Sequence, residues 1–395
     1  HKHTDNIVAH IGIIINSGSR DENENEKGIA HLVEHTIFKG TKKRKAFHIL
    51  SRIDNFGGEI NAFTTKEETC VHASVMVEYY EKTIELLSDI IFNSTFPEKE
   101  LAKEVDIIID EIKSYKDNPA EQIIDSFEEQ LFRGHPLANN PLGDENSITK
   151  YNSQNLLDFV RRTYNTDEIV VSSIGNIEFK KIDNIVSKYF GSNRSNLRNY
   201  KRIAFTNKVS KFFEKVSYNS YQVHCVLGNV AYDVRNEKRL PFSILSNILG
   251  GPMMNSRLNM NIREKYGHCY SIESQYTPLS DTGVFTIYFG TESKYYERVI
   301  DLIFKEIKKL QLNRLGTIQL ARAKKQLIGM LAISQEAYLN DMLAIGKSFL
   351  LFNKVDRIDE INSKIEKITS TDIIECANEI MDVDKLSILI YNSKD

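Results

Sequence analysis

Apolar residues recur along this chain in two alternating rhythms. Short runs rich in β-branched residues, IVAHIGIIIN (7–16), TCVHASVMV (69–77) and EIVVSSIGNI (168–177), read as strands. Longer stretches with helical spacing stand between them, so both layers recur throughout and the predicted class is α+β. The polar, turn-rich GSNRSNLRNYKR (191–202) divides the chain almost in half. It predicts an N-terminal domain over 1–192, a linker over 193–203 and a C-terminal domain over 204–395. The halves echo each other: each has an early apolar strand, a helix near a glycine pair, a strand pair, long helices, and a late strand in D-E-I-V-V-S-S-I or D-K-L-S-I-L-I. Two copies at so long a period describe repeated domains and not a solenoid.

The segment GIAHLVEHTIFKGT (28–41) has the clearest helical pattern, running from the turn-prone DENENEKG to a stop at Lys39-Gly40. Ile29, Leu32, Val33 and Ile37 form an apolar face, while His31, Glu34 and His35 share another. At about 1.5 Å rise per residue the two histidines are roughly 6 Å apart along the axis, a separation from which both imidazoles reach one ion. Glu34 projects beside that ion and suits a general base better than a ligand. Two histidines on a solvent-facing helix remain the alternative.

A catalytic zinc takes three protein ligands and keeps one position open, so two histidines plus a carboxylate suffice. TFPEKELAKEVDIIIDEIKSYKDNP predicts a long helix with a Thr95-x-x-Glu98 capping box and Pro97 in its first turn. Leu101, Val105, Ile108 and Ile112 make its apolar stripe; Glu104 and Glu111, two turns apart, share one side near it, and Asp106, Asp110 and Lys113 face water. Glu111 is the candidate third ligand and Glu104 the residue that orients a ligand imidazole from one layer out. An acidic helix face in water is the alternative.

Composition narrows the class without choosing an activity. At 395 residues with 41% hydrophobic content, two or more cores are expected. A net charge of -3 carries no basic footprint, so no nucleic-acid partner is expected. The four cysteines, Cys70, Cys225, Cys269 and Cys376, lie far apart without C-x-x-C spacing, which favours a reduced, cytoplasmic setting. No apolar run approaches the roughly 18 residues of a membrane span. A secretion signal removed upstream would be compatible with a periplasmic location.

These residues resemble the inverted-motif zinc peptidases that include pitrilysin, insulysin and the mitochondrial processing peptidase. GSRDENENEKGIAHLVEHTIFKGTKKR looks like that family's N-terminal block almost end to end. Glu111 lies 76 positions after His35, and Glu104 seven before it, both as in the family. The likeness continues through GGEINAFTTKEET (57–69), HPLANNPLG (135–143) and LGGPMMNSRLNMNIREKYGHCYS, and the size resembles the short bacterial and processing-peptidase-like branch. It implies two related α/β domains, each an antiparallel or mixed sheet covered by helices, that form half of a clamshell around a closed chamber.

Residue by residue, the resemblance implies one Zn2+ per chain held by His31, His35 and Glu111, with Glu34 as base. Asn61, Ala62, Phe63 and Thr64 match an edge strand that pairs with substrate backbone, although by itself GGEINAFTT reads as an ordinary hairpin after a Gly57-Gly58 turn. Arg263 and Tyr270 match a pair that the family brings to the zinc from its second half, where a cation and a phenol suit an oxyanion. Two departures stand out: Pro252 replaces a third glycine, and His268-Cys269 replaces leucine-alanine before Tyr270.

The implied reaction is hydrolysis of short unfolded peptides, with zinc acidifying its water and Glu34 accepting the proton. A non-catalytic or heterodimer-partner member of the family is the alternative, as is a metal-binding module. Because the zinc motif and the Arg263–Tyr270 pair are both retained, an active homodimer is the expected state.

Overall fold

The computed structural model describes residues 1–191, 193, 195–206 and 209–393, with the backbone alone at Ser393. Ser192 at the expected domain end, Arg194 in the expected linker, and Asn207, Lys208, Lys394 and Asp395 in the expected second domain lie outside the described residues.

The runs read as strands are strands. The first sheet holds β1 (Lys2–His3), β2 (Val8–Ile15), β3 (Glu59–Thr64), β4 (Thr69–Met76) and β5 (Ile169–Gly175) in the order β1-β5-β2-β4-β3. The second holds β6 (Phe213–Tyr218), β7 (Val223–Ala231), β8 (Cys269–Pro278), β9 (Gly283–Thr291) and β10 (Ser387–Ser393) in the order β6-β10-β7-β9-β8. In each sheet the first pair is parallel and the rest antiparallel. The duplication legible as a sequence echo is therefore a duplication of topology, with β3 and β8 as corresponding edge strands.

By compactness the described chain falls into two units that interleave along the sequence. One comprises 1–113, 139–202 and 333–356; the other comprises 114–138, 203–332 and 357–395. The expected contiguous domains differ from this because each sheet has a face to cover and takes a helix from a distant stretch to cover it. In the first unit, the Tyr338–Phe352 helix lies on β2 and β5, so close that a Cβ on Gly346 would stand 2.0 Å from Ile14 Cδ1. In the second, Ile123, Phe127 and Leu131 of the Pro119–Leu131 helix bury against Val226, Val284, Tyr288 and Leu389.

The expected linker is a strap whose described residues up to Arg202 belong to the first unit, exposed positions alternating with half-buried ones that hold it there. Asp21, whose carboxylate is fully buried, accepts from Arg198 Nη2 (3.2 Å), Tyr200 Oη (3.2 Å) and Arg202 Nε and Nη2 (2.9 and 2.6 Å). Sequence polarity there reflects an ion-pair network as well as solvation.

The helix of the inverted motif, Ile29–Thr36, lies against β3. Its Ile29, Leu32 and Val33 are fully buried with Ile11, Ile13 and Ile15 of β2 and Val71 of β4. Burial of those three side chains contributes roughly 5–9 kcal/mol. The carboxylate helix, Glu98–Lys116, joins the same core through Leu101, Ile108 and Ile112. Its start corrects the expected capping box: Thr95 Oγ1 donates to Gly40 O (3.4 Å), and the Glu98 carboxylate accepts the Ser153 N–H (2.9 Å). Phe96, held at φ 48°, breaks the geometry that a reciprocal cap requires.

Candidate metal centre

The motif helix is set in place at its N-terminus by two devices. Gly28 (φ 81°) and Gly143 (φ 68°) pack backbone to backbone, so that a Cβ on Gly143 would fall 2.6 Å from Gly28 Cα. Only glycine meets both the left-handed backbone and the close approach. Glu22, buried, accepts the N–H groups of Gly28 and Ala30, each at 3.1 Å, and so satisfies donors that a helix start leaves orphaned. Burial raises the Glu22 pKa well above the usual range, against the pull of those two N–H groups.

So anchored, the helix turns His31 and His35 toward the carboxylate helix, with ring centroids 4.6 Å apart. His35 Nε2 lies 3.5 Å from Glu111 Oε2, and His31 Nε2 lies 4.0 Å from Glu111 Oε1. The donor atoms of His31, His35 and Glu111 all fall within 4.8 Å of one another, the one such group of potential metal ligands among the described residues. A tetrahedral zinc with bonds near 2.0–2.1 Å separates its donors by roughly 3.3 Å, so the set needs to close by a few tenths of an ångström to about 1.5 Å. Two imidazoles and one carboxylate are also zinc's ordinary donor chemistry. With its side chain 43% exposed, Glu111 leaves one side of the cluster accessible, and the residues fit a catalytic ion.

His31 is the buried member, and burial, followed by the neighbouring His35, pushes its pKa down to about 4. Its imidazole is neutral, the form that ligates a metal. At His35 the Nδ1–H points to Glu104 Oε2 (3.4 Å), which leaves Nε2 to face Glu111. Glu104 in turn is held by Lys39 Nζ on Oε1 at 2.7 Å. The chain Lys39–Glu104–His35 fixes a ring orientation from behind.

Glu34 stands beside the cluster with Oε2 buried and without a hydrogen bond. Burial raises its pKa; Thr64 and His35 draw it back, and Glu111 pushes it up again. Thr64 Oγ1 is likewise buried without a hydrogen-bond partner. Tyr164 lies nearby with its hydroxyl buried and unpartnered, and burial and then the charge of Glu34 raise its pKa. These environments separate the titration of Glu34 from that of an exposed carboxylate, as proton transfer requires.

The residues singled out in the sequence thus sort into two groups. His31, Glu34, His35, Glu104 and Glu111 form one cluster in the first unit, with Asn61, Ala62, Phe63 and Thr64 on β3, an edge of its sheet. Arg263 and Tyr270 belong to the second unit, where the guanidinium lies 5.9 Å from the centre of the tyrosine ring. Pro252 follows Gly251 after the Arg239–Gly250 helix has ended, where it removes no helical hydrogen bond, and Cys269 is a buried core residue. Lys39 and Glu22 were missed. Lys39 follows His35 by four residues, so helical spacing could have pointed to it; Glu22 acts across a loop and left no periodic signal. The Arg239–Gly250 helix, which occupies in the second sheet the chain position of the motif helix, contains no histidine, cysteine or acid.

Residues 1–145 match the family described as Insulinase (Peptidase family M16), and residues 150–327 match one described as Peptidase M16 inactive domain. An uncharacterized zinc protease of Rickettsia bellii is 34% identical over 389 residues, covering 98% of this chain and 92% of its own. The uncharacterized zinc protease YmxG of Bacillus subtilis is 32% identical over 386 residues, covering 97% and 93%. The crystal structure of a peptidase M16 inactive domain from Pseudomonas fluorescens has a TM-score of 0.91 at 19% identity, covering 100% of this chain and 95% of that one. At that identity the likeness is one of fold.

Proposed function

This chain belongs to Peptidase family M16, the insulinase family, and on that premise we propose that it is a zinc-dependent endopeptidase acting on short unfolded peptides. The observation that carries the reading is the convergence of His31, His35 and Glu111 within 4.8 Å beside a buried, unpartnered Glu34 carboxylate oxygen. Those three residues hold the ion. When bound, zinc supplies Lewis acidity, polarising a substrate carbonyl and lowering the pKa of water toward about 7.

The chain's own residues do the rest. Glu34 accepts a proton from the attacking water at Oε2, the oxygen left without a hydrogen bond, and returns it to the leaving amine. Lys39 and Glu104 keep His35 turned toward the ion. An extended peptide adds to the free edge of β3 along Asn61, Ala62, Phe63 and Thr64, where main-chain hydrogen bonds give affinity without demanding a particular sequence. Arg263 and Tyr270 donate to the oxygen that gains charge at the scissile carbonyl. The working form is a homodimer enclosing a chamber, which limits substrates to chains already unfolded.

Replacing Glu34 by glutamine tests the reading. The variant is expected to keep its zinc while losing about a thousandfold or more in turnover, followed by mass-spectrometric mapping of a cleaved peptide library. Cleavage at the wild-type rate would remove Glu34 from the mechanism. Sedimentation of the zinc-loaded protein as a monomer at assay concentration would remove the homodimer.

A further inference from the structure

Tyr270 sits where the ladder of β8 is broken. Cys269 pairs with Thr291 and Ser271 with Gly290, so Tyr270 is the extra residue of a β-bulge on an edge strand. A bulge frees a side chain from the pleat and re-aims it, and here it leaves Tyr270 81% exposed. An aromatic ring so exposed, on an edge strand at an irregularity, gains little from its own packing. Its aim depends on the segment that enters the bulge.

That segment is clamped. It leaves the π-helical turn Asn259–Glu264, which carries Arg263, passes Gly267 at φ 63° and reaches His268. The His268 imidazole lies between two tyrosines, 5.5 Å from Tyr266 at 20° and 4.3 Å from Tyr295 at 18°. Lys265 Nζ lies over the Tyr266 ring at 5.3 Å and Lys294 Nζ over the Tyr295 ring at 4.7 Å, adding cation–π contacts. Thr291, opposite Cys269 in the ladder, donates its hydroxyl to the His268 carbonyl.

We propose that His268 is a positioning residue: the middle ring of a three-ring stack that fixes the bulge from which Tyr270 presents its hydroxyl. The inference rests on the reading of Tyr270 as a group that acts on the substrate. It accounts for the histidine as a structural choice. The site between Tyr266 and Tyr295 takes a flat ring, and an aliphatic side chain there forfeits both stacking contacts.

The chain contains no tryptophan, so Tyr270→Trp places a lone tryptophan on the bulge, excited selectively at the red edge where tyrosine does not absorb. In that background His268→Ala is expected to lower the steady-state anisotropy and increase acrylamide quenching without substrate, and His268→Phe to restore both. With Tyr270 intact, His268→Ala is expected to lower kcat by about tenfold with KM within about twofold, the loss of two ring contacts. Zinc content should hold, the thermal midpoint should fall by no more than about 1–4 °C, and His268→Phe should recover the rate. The double variant His268→Ala/Tyr270→Phe should be no slower than Tyr270→Phe alone.

Multiplicative losses in the double variant, or an unchanged tryptophan signal in His268→Ala, overturn the inference. If Tyr270→Phe turns over at the wild-type rate, the catalytic reading of Tyr270 falls, and the fluorescence pair still decides whether the stack holds the bulge. Should the alanine variant fail to fold, His268→Leu, close in volume but unable to stack, replaces it in every arm.

Discussion

Replacing Lys39 by methionine should weaken zinc binding although Lys39 touches no ligand atom. The lysine ammonium lies 2.7 Å from Glu104 Oε1, with side chains 24% and 7% exposed. At an effective dielectric of about 20 that contact is worth roughly 6 kcal/mol before desolvation is counted. Desolvation and the partial exposure of Lys39 reduce the net cost of its loss to about 1–3 kcal/mol. Some of that appears in folding and some at the metal, because the Glu104 oxygen facing His35 Nδ1 at 3.4 Å is no longer held. Loss of an orienting partner typically lowers metal affinity about 10- to 100-fold, or 1.4–2.7 kcal/mol, which fits within that cost. Competition against a chromophoric chelator measures the affinity, with Lys39→Arg expected to stay within about threefold of wild type. If Lys39→Met binds zinc as tightly as wild type and melts at the same temperature, the Lys39–Glu104–His35 chain has no part in holding the site.

Three further expectations follow from other residues. Glu111→Ala should lower zinc affinity on the order of 100- to 1000-fold, the share of one ligand in the binding free energy, and unchanged affinity would mean that Glu111 is no ligand. In chelator-treated protein, His31 should cost stability on acidification: its folded pKa, about 4, lies below the unfolded value of 6.5, so only the unfolded chain takes up the proton between those values. About 3 kcal/mol present above pH 6.5 should be lost as pH falls toward 4, read from urea midpoints, and the same slope in His31→Asn would refute it. Asp21→Asn should destabilise the protein by about 3–5 kcal/mol, because Arg198 and Arg202 lose the carboxylate that they surround; a urea-derived loss under 1 kcal/mol would mean that the strap is incidental.

The candidate site residues were legible as a group because local periodicity places them. His31, Glu34 and His35 share a face through helical spacing alone, and Glu104 and Glu111 share another two turns apart. Strand positions followed from β-branched runs for the same reason. Expectations failed where a sequence-local rule met a long-range competitor. Thr95 and Glu98 had the spacing of a capping box, but each found a partner elsewhere, at Gly40 and Ser153. The polar segment 193–203 had linker composition, yet its arginines had a buried carboxylate to answer some 180 positions upstream.

What the sequence determined by itself was each element's amphipathic character and the chemistry each could carry, since both are set within one or two helical turns. Tertiary structure alone decided which faces meet: that Glu111 comes within 4.0 Å of both imidazoles, that Lys39 backs Glu104, and that Glu34 is buried enough for its pKa to rise. It also decided that helices from distant stretches cover each sheet, which interleaves two units along a chain whose composition divides it in half. The physical reason is common to all of these. Pairing and desolvation depend on distances across the fold, and no spacing along the chain encodes them.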